Sequence, residues 1–493
     1  MARRFEGALF ALLAVVSSSA LAEVSRVTPS VSFDLAYTDN ATLSRAKESD
    51  LIFSVRPRLE VEHRGARLNG RVDYAIDGLA LGDSNTRSVN SLNAFGALEA
   101  IENFLFIDAR ARISGENFSV FAPIAVDNLT RSNNRSEVRS YGLSPNLRGR
   151  FAATGSYDLR LDWSTLDADR EGFGKSSNTR LTGSVQNAIG MSRFFWGLTA
   201  SASVNNYPDR DDLRNDILRA RLTWQPRSDA SVYGTLGREH YNYVEGESSR
   251  RVQGGGFALG LGPRTQISGE RESRFFGHST ALRFAHRWPR VATSIDYSRD
   301  LSSSNQQVFS AGQGNLLATL FDLYASRIPD PIERLTTVLD FMARTGLPLF
   351  LTRPFAFYTQ QPFTDRRLQG VIAWTGARNT VGLSAYRSTR AALATGFPLI
   401  DDFSFGRHIQ TRGGALDWRH SLSPLATLNL TLGVSRAMAL DGTANTRNRS
   451  AVAGLQFPLT TKSNAFVSLR HSVGDGTTDY RENAAVAGLR LSF

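Results

Sequence analysis

The chain has 493 residues, 41% of them apolar, a formal charge of +11 and no cysteine. Without cysteine it has no disulfide, no thiolate nucleophile and no Cys-ligated metal. Only three of its 57 basic residues are lysines (Lys47, Lys175 and Lys462), and the cations are spread singly rather than in runs, which argues against a nucleic-acid partner.

Residues 1–22 read as a signal peptide. Arg3 and Arg4 open it, Gly7 to Val16 form an apolar stretch too short to stay as an anchor, and Ala20 and Ala22 flank Leu21 in a small-x-small cleavage pattern before Glu23. No cysteine follows the cleavage point, so no lipid anchor is expected there. Residues 23–493 are expected to form one domain beyond the inner membrane.

From there a two-residue period recurs. Val31, Phe33, Leu35 and Tyr37 alternate with Ser32, Asp34 and Ala36. Tyr157, Leu159, Leu161 and Trp163 alternate with Asp158, Arg160 and Asp162. Leu218, Ala220, Leu222 and Trp224 alternate with Arg219, Arg221 and Thr223, and Ala426, Leu428, Leu430, Leu432 and Val434 alternate with polar or small residues. Successive side chains on a strand point to opposite faces, so each segment has one apolar and one polar face. The segments run to about 10–13 residues, where soluble strands average about 5–6 and tilted membrane strands need about 9–11. Mid-strand Arg and Asp on the polar face suit a wet lumen.

The connections alternate as well. Short turns are expected near 63–66, 101–103, 151–154, 190–192, 226–229, 262–264, 288–290, 376–379, 421–424 and 459–462. Longer loops are expected near 38–49, 78–89, 117–135, 166–178, 206–213, 242–250, 302–365, 391–408, 437–447 and 474–481, with one short connection, 275–278, where a long one is due. Outer-membrane barrels have short periplasmic turns and long extracellular loops. The pattern predicts an all-β, transmembrane, antiparallel up-and-down barrel of about 22 strands in the outer membrane of a Gram-negative bacterium, both termini periplasmic and the outer wall in lipid. Trp196, Trp224, Trp288, Trp374 and Trp418 fall near periplasmic strand ends and Trp163 near an outer end, as interfacial aromatics do. Arg264 to Phe276 alternates poorly and predicts a register slip or a strand rising above the membrane.

The segment 302–365 breaks the pattern and predicts a helical insertion. Asp330 can cap, Pro331 suits the first helical position and Glu333 completes a capping pattern. Leu335, Val338, Leu339 and Met342 follow at helical spacing, and Gly346 can end the helix. Such an apolar stripe must pack, either in the lumen as a plug or across the mouth as an extracellular loop.

No catalytic constellation, metal site or cofactor motif emerges. The seven histidines are scattered, and His420-Ser421 and His471-Ser472 place neighbours on opposite strand faces. A barrel-embedded hydrolase is the weakest functional reading. Gly254-Gly255-Gly256 lacks the Lys-Ser/Thr of a phosphate loop and is expected to permit a bend. The candidate functional residues are charges on the polar faces: Arg160, Asp162, Arg219, Arg221, Arg283, Arg287, Arg470 and Arg490. They form either cross-strand ion-pair ladders that stiffen the wall, the favoured reading, or an Arg-lined path for anionic solutes. At the end of the chain, Leu489, Leu491 and Phe493 alternate with Arg490 and Ser492. This resembles the terminal-strand signal read by the barrel assembly machinery.

Several stretches resemble an outer-membrane β-barrel family associated with the PEP-CTERM/exosortase protein-sorting system. They are Val27 to Val31 with Tyr37 to Asn40, Ser49 to Ile52 before Pro57, Gly65 to Leu68 with Asp73-Tyr74, and Asp127-Asn128 with Glu137 to Arg139 and Leu143 to Pro145. Pro329 to Pro331 in the insertion also fits. The resemblance implies a setting, exopolysaccharide production and surface-protein sorting, and no reaction. The expectation is a non-enzymatic barrel of porin or exporter type. The alternative is a structural or docking barrel that binds polysaccharide or protein partners through its loops.

Overall fold

The computed structural model describes residues 24–303 and 358–493, apart from short stretches at 83–84, 152–153, 171–172, 189–192, 208–209, 244–247, 360, 394–400 and 424. From the segment between, it describes Phe321, Tyr324, Ile328, Arg334, Leu335, Thr337 and Val338. The expected signal peptide, with Ala20 and Ala22, lies outside the described residues.

There are 22 strands: β1 (Val24–Thr38), β2 (Asp50–Arg64), β3 (Leu68–Leu81), β4 (Thr86–Ile101), β5 (Leu105–Asn117), β6 (Arg135–Phe151), β7 (Gly155–Ala168) and β8 (Lys175–Ala188). Then come β9 (Phe194–Tyr207), β10 (Arg210–Arg227), β11 (Ala230–Tyr241), β12 (Ser248–Gly260), β13 (Thr265–Arg274), β14 (Gly277–Arg287) and β15 (Val291–Ser302). The last seven are β16 (Phe363–Thr375), β17 (Asn379–Ala392), β18 (His408–Ser421), β19 (Thr427–Ala439), β20 (Asn445–Pro458), β21 (Ser463–Asp475) and β22 (Tyr480–Ser492). Each pairs antiparallel with its sequence neighbours, and β1 pairs with β22 from Ser30 opposite Ser492 to Thr38 opposite Ala484. The sheet therefore closes, and closure leaves no unpaired edge, the condition a sheet must meet to cross lipid.

Closure also sorts the side chains. Phe33, Leu35 and Tyr37 are exposed on the outer face of β1, while Ser32, Asp34, Ala36 and Thr38 are buried on the inner one. The same holds for Leu159, Leu161 and Trp163 on β7 and for Leu218, Leu222 and Trp224 on β10. A continuous apolar surface of this kind is far larger than soluble monomers carry and is the wall a bilayer requires. Trp196, Trp224, Trp288 and Trp374 lie exposed at one rim, where connections are short. We call this the turn rim and the opposite one the loop rim.

Five expected loops are about half the predicted length or less, among them 437–447 and 474–481, which shrink to 440–444 and 476–479. The other three fall between Leu81 and Thr86, Ala168 and Lys175, and Tyr207 and Arg210 instead of at 78–89, 166–178 and 206–213, because strand pairing continues into polar sequence at the loop rim. Strands run from 10 to 18 residues, so several project beyond what a bilayer needs. The predicted slip at Arg264 to Phe276 is absent: β13 pairs with β14 without a shift from Thr265 opposite His286 to Arg274 opposite Gly277. Its alternation looked poor because Glu270, Glu272 and Arg274 point inward while Arg271 and Ser273 point outward, leaving polar residues on both faces.

The helical insertion over 302–365 is not seen: no α-helix is traced among the described residues. Phe321, Tyr324, Arg334, Leu335, Thr337 and Val338 have helical backbone as isolated positions. Asp330, Pro331, Glu333, Leu339 and Met342 lie outside the described residues.

Candidate functional site in the barrel lumen

A ring of 22 strands encloses a space too wide for its own inward side chains to fill. Among the described residues, the β5–β6 connection, residues 118–134, folds into the mouth and fills part of the loop-rim half. Its residues pack against strands β1–β3, β6, β7, β16 and β18–β22. Val120 and Phe121 join Phe363, Phe403, Ile409, Ala437 and Ala439 in one buried cluster. Phe118 packs with Val138, Leu166, Ala168 and Tyr358 in another, its ring 4.8 Å from that of Tyr358 and 4.9 Å edge-on from Phe173. Ala125 meets Leu43 and Tyr480. Leu129 sits on Ala36, Ile52, Leu79 and Leu81. Together these apolar contacts make a small core inside the barrel mouth.

Most polar groups in the loop are paired, as burial requires, the buried Thr130 hydroxyl being an exception. Asn134 is the loop's internal clasp: its side-chain amide donates to the Ser119 and Pro123 carbonyls at 2.9 and 3.1 Å and its oxygen accepts from the Ser119 N–H at 2.8 Å. Asn128 donates to Asp77 on β3 at 2.8 Å, and Arg131 pairs with Asp50 on β2 at 2.7 Å. The Phe121 carbonyl accepts from Thr446 on β20 at 3.2 Å. Across the mouth, the Asp402 carboxylate accepts from the Ser119 hydroxyl and, at 2.8 Å, from the Val120 N–H. Asp402 belongs to a short 3-10 turn, Asp402–Phe405, capped by Asp401, whose carboxylate accepts the Phe403 N–H at 2.9 Å. Burial pushes the Asp402 carboxyl up to about 6, and its hydrogen bonds from Ser119 and Val120 only partly offset this.

The strongest tie between loop and wall is Arg470. This β21 guanidinium pairs with Asp127 of the loop and with Glu482 of β22 at 2.6 Å. Glu482 in turn accepts from Thr38 on β1 at 3.0 Å. The Arg470 and Glu482 side chains are 6% and 1% exposed, so the seam where the barrel closes is bolted to the loop by buried charge.

All eight predicted lumen residues face inward, but the structure does not gather them into one site. Arg160 pairs with Asp162 at 2.8 Å and Asp108 at 3.2 Å. Arg219 reaches Glu272 at 3.0 Å, Arg221 reaches Glu270 at 3.2 Å and Arg283 reaches Asp296 at 3.6 Å. Arg490 donates to Ser32 at 3.2 Å. Arg287, near the turn rim, lies 5.8 Å from the ring of Tyr324 of the insertion. This places one described insertion residue deep in the lumen, while Tyr358 sits at the loop rim against Phe118.

Gly254 and Gly256 make the ladder on β10–β13 possible. They face inward on β12, opposite Thr235 and Tyr233 on one side and Glu272 and Glu270 on the other. A Cβ on Gly256 would lie 2.4 Å from the Gly269 carbonyl oxygen and 2.5 Å from the Tyr233 ring; one on Gly254 would lie 2.8 Å from Glu272 Cγ. With no side chains there, Tyr233 crosses β12 to donate to Glu270 at 2.5 Å and Arg219 crosses to Glu272. β12 pairs without a register shift on both sides, so the glycines make no bulge.

Residues 118–134 carry a role in the mouth that the sequence pattern does not announce, while the insertion, as plug or as cap, lies mostly outside the described residues. The available signal was the run Phe118, Val120, Phe121, Ile124, Val126 and Leu129 in a loop expected to be solvated. On the lumen wall below the loop lies a hollow of about 330 Å³. It is lined by Asn429, Thr431, Gln456, Asn464, Phe466 and Arg490, among others: amides, a hydroxyl, one aromatic ring and one cation. His420 and His471 accept or donate on the outer face, to Asn379 at 2.8 Å and Asn483 at 2.7 Å, whereas Ser472 is buried inward. The His-Ser neighbours therefore form no dyad.

No protein-family model matches the chain, and no curated protein matches it in sequence. Solved structures similar to it are outer-membrane proteins. The ferric enterobactin receptor PfeA of Pseudomonas aeruginosa aligns at 10% identity over 95% of this chain and 80% of its own, with a TM-score of 0.43. The siderophore receptor PirA of Acinetobacter baumannii aligns at 8% identity over 95% and 81%, with a TM-score of 0.45. OccK2 of P. aeruginosa, solved with glucuronate, aligns at 9% identity over 95% and 96%, with a TM-score of 0.34.

Proposed function

We propose that this chain is a non-enzymatic outer-membrane channel of porin or exporter type, with residues 118–134 as the element that sets its bore. The reading rests on one observation above the others: the 118–134 loop reaches into the lumen and is tied by contacts to β2, β3, β18, β20 and β21. A segment so placed narrows the mouth beside the strands it touches, and so shapes what can pass. The loop rim faces the cell exterior and the turn rim, with both ends of the chain, faces the periplasm, in keeping with the short-turn side of such barrels. Insertion by the barrel assembly machinery through the last strand, with Leu489 and Leu491 outward opposite Phe33 and Val31, fits the same reading.

The cargo we propose is saccharide, within the exopolysaccharide and PEP-CTERM sorting context that the sequence resemblance implies. The hollow beside Phe466 supports it: hydroxyl-rich ligands are recognised by amides and hydroxyls around an apolar or aromatic floor, and Asn429, Thr431, Gln456 and Asn464 supply them. The pairing of Arg160, Arg219, Arg221, Arg283 and Arg470 with carboxylates supports wall bracing over an open anion path.

Planar-bilayer recording of the purified protein tests the reading. Stable conductance steps are expected, with larger steps when residues 119–133 are replaced by a short glycine-serine linker. Silent bilayers from both forms, each shown to be folded, would overturn it.

A further inference from the structure

The outer wall carries an arrangement that a channel does not need. On four successive strands, Arg387 of β17 lies directly opposite Arg412 of β18, Arg412 opposite Arg436 of β19, and Arg436 opposite Arg447 of β20. Directly paired residues share a face, and this one is the outer face. Leu383, Leu432 and Val434 lie on it closer to the turn rim, and all three are exposed. The row thus stands where the apolar band ends on the loop-rim side, the height of lipid headgroups. It spans three strand spacings, about 15 Å.

Like charges stacked in register repel one another. Among the described residues no carboxylate is within ion-pair reach of Arg387, Arg412 or Arg447, while Arg436 donates to Asn445 at 3.0 Å. The nearest outward carboxylate across the ladder, Asp475, stands opposite Arg447 but pairs with Arg449 at 3.3 Å. Farther along, Arg366 lies opposite Arg299 on the same face. A wall that lines up cations without counter-charges is complementary to an anion outside it. Every position in the row is arginine, whose planar fork matches phosphate oxygens in pairs of hydrogen bonds.

We propose that this row binds the phosphorylated headgroup of a glycolipid in the leaflet on the loop-rim side, the chemical class of diphosphorylated lipid A. The lipid's acyl chains would then lie along the Leu383–Leu432 surface while its phosphates bridge neighbouring arginines.

Native mass spectrometry of the full-length barrel in detergent tests this, with diphosphoryl lipid A, its dephosphorylated form and inorganic phosphate as probes. Diphosphoryl lipid A should be retained about tenfold better than the dephosphorylated form, and millimolar inorganic phosphate should not displace it. The R387Q/R412Q/R447Q variant should lose about tenfold in retention, with conductance in bilayers unchanged. Equal retention of the two lipids, unchanged retention in the triple variant, displacement by free phosphate, or displacement by an acidic polysaccharide would each overturn the proposal. Should the triple variant not fold, judged by heat-modifiable migration, the R412Q single variant should show about threefold weaker retention, and no change there would overturn it as well. Since conductance is read separately, failure here leaves the channel reading standing, and the converse holds.

Discussion

Asp127 and Arg470 are 343 positions apart in sequence and form an ion pair inside the barrel. The pair joins the lumen loop to β21, one strand away from the seam at which β1 meets β22, and through Glu482 and Thr38 it reaches the seam itself. Arg470→Ala would strand a carboxylate, Glu482, whose side chain is 1% exposed. Breaking a buried pair from one side costs about 3–5 kcal/mol, so this variant should lose heat-modifiable migration at a clearly lower temperature. Asp127→Ala removes only the loop's half and leaves Arg470 with Glu482. It should keep the barrel's melting behaviour nearly unchanged and raise the mean conductance.

Phe121→Ala should separate loop docking from barrel stability in another way. Phe121 is among the largest fully buried side chains, its ring 5.0 Å from that of Phe405. Emptying such a site costs about 3–5 kcal/mol. The loss falls on the contact between residues 118–134 and the 401–405 turn, not on the ladder of strands. Limited proteolysis should cut the loop in the variant and spare it in the parent, with an unchanged strand signal in circular dichroism.

Asp402 makes loop docking depend on pH. Its carboxyl is pushed up to about 6 by burial, above the ordinary value of about 3.9. A raised carboxyl favours the docked state when protonated, so the stabilisation is complete below about pH 4 and is lost as pH rises through about 6. The full difference, about 2 pKa units, is worth up to about 3 kcal/mol. Hydrogen exchange at the Val120 amide, corrected for its intrinsic rate, should be slower at pH 5 than at pH 7.5. Asp402→Asn should flatten this dependence; a parent protein with equal protection at both pH values would contradict it.

Gly256→Ala should destabilise the wall between β11 and β13. The new Cβ would meet backbone, the Gly269 carbonyl, as well as the Tyr233 ring, so relief requires a strand shift. Overpacking of this sort costs about 1–3 kcal/mol. Apparent melting should fall by that amount, and Tyr233→Ala in the same background should recover only the part due to the ring.

Several features of the fold could be read locally. Strand number and inward or outward facing depend on a two-residue period and on where short turns interrupt it, and both are written in consecutive residues such as Leu218 to Trp224. Polar sequence at the loop rim suggests loop at 78–89 and 206–213 because composition alone does not show that a strand continues into water. Arg264 to Phe276 looked irregular because an inward row of Glu270, Glu272 and Arg274 has its partners on β10 and β11, beyond any local window. Nor does the triple glycine announce by itself what needs its space: Tyr233, on the neighbouring strand.

The sequence by itself determined the barrel, its two-faced wall and the alternation of its connections, because those follow from side-chain direction along one strand and from turn residues next to it. Only the tertiary structure decided what the lumen holds and what the outer wall presents. The loop at 118–134 became a lumen element once ring closure brought β3, β16, β18, β20 and β21 within reach of one short segment. Arg387, Arg412, Arg436 and Arg447 became a row only when pairing register set four separate strands side by side.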